Sequence, residues 1–349
     1  METLIKKQTK ILILQTAFLG DVLLTLPLIH HLRKIFSDSE IDLIVRPDAA
    51  EVSEISCDLN RVIIFDKKKN GLRNTFNLIK AIRKKKYDLL ISPHRSYRSS
   101  LISFFSGIPK RIGFDTASFS ILYSDKVKYQ KNVHEVERNI SLISEFRKVQ
   151  EWEQLIPIKP SAAELHKKLI SWNNSKQQIV CIAPFSEWYT KRYPQDYFIK
   201  LIELLIKSEI KVLIIGGKKD LSDSNKIVES ISSSECVLNL TGQLSIRESI
   251  DVIGKCNLLI SNDSAPTHMA MFTTCPVLTI YGSTIPGFGF YPYRSFDSVI
   301  QIDELYCKPC GIHGFITCPE NHFRCMRELK PELVFEQVKK MLQNEIISL

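Results

Sequence analysis

Residues 258–274 have the residue types and the order that binding of an anion requires. The segment opens with the apolar run 258–260, which predicts a buried parallel strand. Pro266 then favours the start of a helix, whose first backbone N–H groups lack partners within the helix and whose dipole attracts negative charge. An ordinary helix start capped by Asp263 or Ser264 is the alternative. The hydroxyl, carboxylate and imidazole groups suited to phosphate and sugar oxygens are those of Asp263, Ser264, Thr267 and His268.

A second candidate segment follows the apolar run 178–182. Thr190 offers a hydroxyl and Lys191 a cation at the predicted carboxyl end of a strand, where a phosphate would lie. A solvated basic turn is an equally consistent interpretation of the same residues.

Two more strand exits carry small or acidic residues. Gly216 lies in a glycine turn after the run 212–215 and would let the backbone approach a ligand closely, while Asp220 could accept hydrogen bonds from a ribose or a base. A plain turn is the simpler explanation of this pair. Residues 281–284 end the next run with further hydroxyl donors.

Asp21 is the candidate general base. It follows the first apolar run, 10–14, at a strand exit, where a carboxylate could take a proton from an attacking hydroxyl. The alternative is that Asp21 caps the next helix. This exit lacks the Gly-x-Gly-x-x-Gly pattern, which argues against a dinucleotide-binding domain.

The elements that position these residues form two series of alternating strands and helices. Such alternation predicts two doubly wound, Rossmann-like parallel sheets, with ligands bound in a cleft at the carboxyl ends of their strands. The predicted domains are residues 1–160 and 161–330, joined by a helix over 162–172, with a last helix from residue 331 that packs back on the first half. The apolar runs that predict the strands are residues 10–14, 41–45, 62–65 and 88–91, then 178–182, 212–215, 236–238, 258–260 and 277–280.

Composition limits the classes of function. Apolar content of 44% and charged content of 24% are ordinary for a globular protein, and no apolar run reaches membrane-spanning length. The polar first ten residues do not form a secretory signal, so we expect a cytoplasmic protein. The net charge of +9 favours an acidic partner, and lysine runs at 67–69 and 84–86 supply part of it, although each is also typical of a solvated surface. Few aromatic residues accompany these runs, which argues against nucleic-acid binding.

The cysteines fall into two groups. Five are scattered in apolar surroundings and predict reduced core residues: Cys57, Cys181, Cys236, Cys256 and Cys275. The other four are Cys307, Cys310, Cys318 and Cys325. Four thiolates at this spacing can hold a tetrahedral zinc ion, but reduced cysteines that pack a loop are also consistent with the pattern.

In combination, the ordered motifs resemble those of glycosyltransferase family 9, the ADP-heptose:lipopolysaccharide heptosyltransferases. The resemblance spans nearly the whole chain, and the ordered set is far more specific than any one member. It rests on Leu-Gly-Asp-Val-Leu-Leu-Thr-Leu-Pro at 19–27, Gly-Ile-Pro-Lys-Arg-Ile-Gly at 107–113, His-Glu-Val-Glu-Arg-Asn at 134–139, Thr-Lys-Arg-Tyr-Pro at 190–194, Leu-Thr-Gly-Gln-Leu-Ser at 240–245, Asn-Asp-Ser-Ala-Pro-Thr-His at 262–268, and the terminal cysteine pattern.

The resemblance implies a GT-B fold, with the acceptor on the first half and the nucleotide-sugar on the second. Family members invert the sugar configuration, so Asp21 would deprotonate the acceptor hydroxyl, and Lys191 matches the lysine that neutralises the donor diphosphate. No metal or other cofactor is implied. Two positions depart from the family pattern: the usual glycine of the loop is Ala265, and the nearest counterpart of a common glutamate is Asp220. The family's diphosphate- and heptose-binding loop matches Asp263, Ser264, Ala265 and His268.

The expected reaction is transfer of heptose from ADP-heptose to the inner core of lipopolysaccharide, onto Kdo–lipid A or the first heptose. The expected partners are the nucleotide-sugar, an anionic lipid-linked saccharide and the inner face of the cytoplasmic membrane, and no nucleic acid. Two alternatives stay open: a transferase of the same family that uses another nucleotide-sugar for a surface polysaccharide, and a nucleotide-sugar-binding protein without turnover. Basic residues that could meet the acceptor's anionic groups, or be ordinary surface residues, are Arg95, Arg98, Lys110 and Arg111.

Overall fold

The computed structural model describes residues 9–66, 69, 71–149, 151–160, 169, 171–173 and 177–347, with side chains described as far as residue 343. Backbone contacts divide the chain into two compact units, Met1–Lys159 and Pro160–Leu349. Most of the predicted connecting helix, 162–172, and two lysines of the run 67–69 lie outside the described residues.

The first unit contains a six-stranded parallel sheet with the strand order β3-β2-β1-β4-β5-β6. Its central strands form because their apolar runs bury both faces, as parallel strands covered by helices require. The last two strands were not predicted, since one begins with two basic residues and the other is three residues long. The strands are β1 Lys10–Leu14, β2 Glu40–Val45, β3 Arg61–Ile64, β4 Leu89–Ser92, β5 Lys110–Phe114 and β6 Asp125–Val127.

Five α-helices of the first unit are described: α1 Leu19–Leu23, α2 Leu26–Ile35, α3 Gly71–Lys85, α4 Tyr97–Phe105 and α5 Glu135–Ser141. The apolar residues of 22–35 recur with the period of one continuous helix, but the helix is interrupted between α1 and α2. Pro27 lies in the first turn of α2, where its missing N–H costs nothing. The Thr25 hydroxyl at the break donates to the carbonyl of Asp21 over 2.8 Å, so the break fixes the end of the segment that carries Asp21.

The second unit contains another six-stranded parallel sheet, in the order β12-β11-β10-β7-β8-β9. All five predicted strands are present, and the edge strand β12 was not predicted. The strands are β7 Ile179–Ala183, β8 Lys211–Ile214, β9 Val237–Asn239, β10 Leu258–Asn262, β11 Val277–Tyr281 and β12 Ser298–Gln301. The helices described here are α6 Gln195–Lys207, α7 Leu221–Glu229, α8 Ile246–Ile253, α9 Ala265–Ala270, α10 Arg324–Arg327 and α11 Pro331–Ile347. The fold class predicted from the alternation, α/β with two doubly wound parallel sheets, is confirmed.

The apolar side chains of α11 pack into the second unit, beside α6 and β10. The packing of this helix onto the first half stays a prediction. Val334 and Val338 are fully buried in the same core as Phe198 of α6. The amphipathic pattern predicted that α11 has an apolar face, but it cannot say which surface that face meets. Among the described residues, no helix is both long enough and apolar enough to cross a bilayer.

Candidate active site

The second sheet changes winding direction between β7 and β10, which are adjacent although β8 and β9 come between them in the chain. In open α/β sheets, ligands bind at the carboxyl ends of the strands at such a point. Lys191 follows β7 and Asp263 follows β10, so the topology brings the two predicted donor-binding segments to the same place.

Lys191 and Asp263 form an ion pair there. Lys191 Nζ lies 2.6 Å from Oδ2 of Asp263, and the two side chains are only 14% and 7% exposed. The Thr284 hydroxyl donates to the same oxygen over 2.6 Å. Charge-assisted bonds of this length hold both side chains firmly. A cation fixed at the switch point of the sheet has the position and charge that a diphosphate requires.

His268 lies in α9 and is 5% exposed. The pKa of His268 is lowered to about 4, chiefly by burial; the negative charge of Asp263 opposes this shift, and the positive charge of Lys191 adds to it. The imidazole is therefore neutral at physiological pH, and it lies close enough to Lys191 and Asp263 for both charges to act on its pKa.

The Thr190 hydroxyl is buried and forms its hydrogen bonds within the protein, since the residue is only 1% exposed. Its Oγ1 lies 2.9 Å from Oγ of Ser283 and accepts the N–H of Phe315 over 2.8 Å. The Thr190 N–H donates in turn to the Phe315 carbonyl over 3.1 Å. Gly314 packs against this hydroxyl. Glycine suits the position because its φ is +89° and because a Cβ there would lie 3.1 Å from Thr190 Oγ1. Thr190 thus holds the short 3₁₀ helix Tyr189–Lys191 in place.

The glycine turn after β8 is explained by packing. A Cβ on Gly216 would lie 2.6 Å from Cδ2 of Phe185, so only glycine fits. The Asp220 carboxylate accepts the N–H of Gly217 over 2.9 Å and closes the turn, and burial raises the pKa of this carboxyl. The structure therefore contains the plain turn that the sequence left open as an alternative, and it places this turn at the same sheet edge as Lys191.

The start of α9 is partly accessible. Ser264 is its N-cap residue but makes no side-chain capping bond, and both Ser264 and Ala265 are half-buried. The Thr267 hydroxyl, in contrast, is directed inward, 3.1 Å from that of Thr279. Within the predicted loop, residues 264–266 are therefore partly accessible, whereas the hydroxyl of Thr267 forms its hydrogen bond inside the protein.

Asp21 lies in α1, which follows β1, and β1 is adjacent to β4 at the switch point of the first sheet. The Asp21 carboxylate accepts the N–H of Phe18 over 3.2 Å, so it caps its own helix as the alternative interpretation expected. The exits of β1 and β4 are joined by a 2.9 Å bond between Thr16 and His94. Capping fixes the carboxylate at this edge of the sheet and does not exclude its use as a base.

A charged cluster beside Asp21 was not predicted. Two guanidinium groups contact the ring of Tyr129: that of Arg95 lies 3.9 Å from the ring centre and that of Arg138 4.6 Å. Arg138 is 1% exposed and pairs with Glu135. Burial and the charge of Asp21 raise the pKa of Glu135 to about 7, although Arg138 and Arg95 act in the opposite direction. The motif 134–139 indicated that these residues matter, but not that they lie beside Asp21.

The four predicted acceptor-binding residues lie at two edges of the first sheet. Arg95 and Arg98 follow β4, on the edge that carries Asp21. Lys110 and Arg111 begin β5 and lie at the opposite edge, since Lys110 pairs with the first residue of β4. Lys110 forms an ion pair with Glu145, and Arg111 donates to main-chain carbonyls, including that of Ile108 over 2.6 Å. Only the first pair lies on the side of the candidate base.

The clustered cysteines Cys307, Cys310, Cys318 and Cys325 are reduced thiols in the structure. Within the described ranges, no three His, Cys, Asp or Glu side chains are arranged to hold a metal ion. Burial raises the pKa of the Cys325 thiol to about 12, and it also raises that of Cys310. Of the five scattered cysteines, Cys181, Cys256 and Cys275 are buried as predicted, but Cys57 is exposed and Cys236 half-buried.

A profile of glycosyltransferase family 9 (heptosyltransferase) matches residues 75–314, which is more than half of the sequence. The chain belongs to this family. The lipooligosaccharide heptosyltransferase 2 of Campylobacter jejuni is 26% identical over 338 residues, covering 96% of this chain and 99% of the relative.

Two solved structures share the fold of this family 9 chain. The E. coli ADP-heptose lps heptosyltransferase II has a TM-score of 0.77 at 21% identity and covers 97% of this chain and 99% of its own. The E. coli heptosyltransferase WaaC with ADP has a TM-score of 0.71 at 20% identity, over 95% and 100% of the two chains. The GT-B fold expected from the sequence motifs is thereby confirmed.

Proposed function

We propose that this family 9 enzyme transfers heptose from ADP-heptose to the inner core of lipopolysaccharide, with inversion at the anomeric carbon and without a metal ion. The observation that carries the proposal is the buried pair of Lys191 and Asp263, with neutral His268 beside it, at the switch point of the second sheet. The names of the similar proteins, which include an ADP-heptose enzyme and an ADP complex, support this choice of donor.

In this proposal the second unit holds the donor. Lys191 neutralises the diphosphate, since a fixed cation near a leaving group acts most strongly when water is excluded. His268, being neutral, exchanges hydrogen bonds with the sugar or the phosphate without adding charge. Ser264 and Ala265 lie at the accessible start of α9, close to Asp263. Thr190 holds Lys191 in place, and Gly216 and Asp220 shape the neighbouring strand exit.

The first unit supplies the base. Asp21 takes the proton from the acceptor hydroxyl as its oxygen bonds to the anomeric carbon, while the bond from that carbon to the diphosphate breaks and ADP leaves. The acceptor is an anionic, lipid-linked saccharide, and its acidic groups face Arg95 and Arg98. Lys110 and Arg111 lie at the other sheet edge and would contact a different part of that acceptor.

Replacement of Asp21 tests this assignment. Removing a general base costs about 10²- to 10⁴-fold in rate, so Asp21→Ala should lose turnover of ADP-heptose while it still binds ADP. The exposed acid Asp38 provides the matched control, Asp38→Asn. Unchanged turnover in Asp21→Ala would refute Asp21 as the base, and absence of turnover in the wild type with every donor would favour a binding protein.

A thermal-shift series with ADP-, UDP- and GDP-sugars tests the donor. A ligand that binds only the folded state raises its apparent stability. Stabilisation by ADP-heptose alone supports the proposal, whereas equal shifts with UDP-sugars would favour a transferase of the same family that serves another polysaccharide.

A further inference from the structure

The positive charge of the chain is concentrated in one segment. Residues 67–86 contain nine lysines and arginines and no aspartate or glutamate. The net charge of the whole chain is also +9. Outside this segment, the lysines and arginines are therefore as numerous as the aspartates and glutamates, at 38 each. Most of this segment is α3, and its charge is not used by the proposed active site.

The same helix exposes large apolar side chains. Leu78 and Ile82 bury the inner face of α3 in the core of the first unit. Leu72 and Phe76, one turn apart on the outside, are 91% and 68% exposed. Exposed apolar residues that recur on one face of a helix indicate a surface that is covered in use.

Basic side chains surround these apolar residues. Arg73, Lys80 and Lys84 are exposed, and at 3.6 residues per turn they lie on the outward side of α3, with Arg73 beside Leu72, Lys80 one turn after Phe76 and Lys84 one turn further on. An amphipathic helix with lysine or arginine beside Leu and Phe is typical of segments that lie in a membrane interface.

The apolar surface continues onto the end of α4. Phe104 and Phe105 are 46% and 47% exposed. Arg83 Nε donates to the Phe105 carbonyl over 2.8 Å, which joins the C-terminal parts of α3 and α4. The surface is therefore wider than one helix.

We propose that the outward face of α3, together with the C-terminal end of α4, docks on an anionic lipid bilayer. The proposal rests on the proposed function, because a lipid-linked acceptor is presented at a bilayer surface. Clustered Lys and Arg are attracted to an anionic leaflet, and Leu72, Phe76 and the two phenylalanines enter the boundary between headgroups and acyl chains. A nucleic acid or an acidic protein would satisfy the lysines but would leave these apolar side chains in water.

Flotation with phosphatidylcholine vesicles, with and without phosphatidylglycerol, tests the surface. Wild-type protein should float only with the anionic vesicles, and high salt should release it. Each basic residue near an anionic surface is worth about fivefold in binding, so Lys80→Gln with Lys84→Gln should lower partitioning about 25-fold. Leu72→Ser with Phe76→Ser should lower it to a similar degree, because the apolar contact is lost.

The matched control lies on α11, which also exposes a leucine and a lysine. Leu333→Ser with Lys340→Gln removes the same residue types from another helix and should not change flotation. Equal flotation of the α3 variants and the wild type would refute the proposal, as would binding to neutral vesicles alone or loss of binding in the control. It would also fail if the α3 variants lost affinity for DNA or RNA and not for vesicles.

Failure of this proposal is distinguishable from failure of the proposed function, because flotation requires no substrate. Asp21→Ala should float like the wild type. The α3 variants should keep their turnover on acceptor in detergent micelles and lose it on acceptor in anionic vesicles, and equal loss in both would contradict a docking role.

Discussion

Lys191 Nζ lies 2.6 Å from Oδ2 of Asp263, and the two residues follow neighbouring strands that are far apart in the chain. The cation that we assign to the donor diphosphate is thus paired with a carboxylate of the protein itself. A diphosphate must share Lys191 with Asp263 or displace it, so the pair sets how strongly the second unit attracts an anion.

Lys191→Met should weaken ADP binding by at least about tenfold, because a charge-assisted contact of about 1.5 to 3 kcal/mol is lost. Isothermal titration with ADP measures this. Lys219→Met is the matched control, since Lys219 is an exposed lysine of the same unit that pairs with Glu187. If Lys191→Met bound ADP as tightly as the wild type, the assignment of Lys191 to the diphosphate would be wrong.

Thr190→Val should raise the KM for the donor more than it lowers kcat, since the hydroxyl positions Lys191 and does not touch the reacting atoms. The change removes the bonds to Ser283 and Phe315 and costs about 1 to 3 kcal/mol of folding stability. Thr190→Ser keeps the hydroxyl and should restore the KM. Equal kinetics in the two variants would show that the hydroxyl has no positioning role.

His268 should make the protein less stable in acid. Its pKa is about 4 in the folded state against 6.5 for an unperturbed histidine, so between these values the unfolded chain binds more protons. The free energy of unfolding should therefore fall by up to about 3 kcal/mol as the pH drops from 6.5 to 4. In urea unfolding, the free energy of unfolding of the wild type should therefore fall by this amount relative to that of His268→Gln over the same pH range, since the other titrating groups, including Glu135, are common to both proteins. An NMR titration of the His268 ring centred near pH 6.5 would contradict the prediction.

Glu135 should have the opposite effect. Its pKa rises from 4.5 to about 7 on folding, so the folded state binds more protons between these values. The stability contributed by the protonated carboxyl is complete below pH 4.5 and is lost as the pH rises through 7, by up to about 3 kcal/mol. Glu135→Gln should remove this dependence, and Glu137→Gln, two residues away, should retain it. Urea unfolding across pH 4 to 8 that is identical in wild type and Glu135→Gln would show that the carboxyl ionises normally.

The amino-acid sequence by itself determined most of the fold. Continuous apolar runs such as those of β1 and β10 can be buried only in a sheet covered on both faces, and their alternation with helical segments requires parallel strands. Parallel strands bring their carboxyl ends to one edge, so the sequence also predicted that the segments of Lys191 and Asp263 belong to one site. Weakly apolar strands at sheet edges, such as β6, were missed because their pattern does not differ from that of a loop.

Only the tertiary structure decided which polar groups remain available to a ligand. Thr190 and Asp220 carry the groups expected of a donor site, yet Thr190 bonds to Ser283 and Phe315, and Asp220 closes its own turn. The cluster of Asp21, Arg95 and Glu135 likewise joins residues from three separate segments. Sequence patterns report local periodicity, whereas a hydrogen bond or a pKa shift depends on groups brought together by the fold.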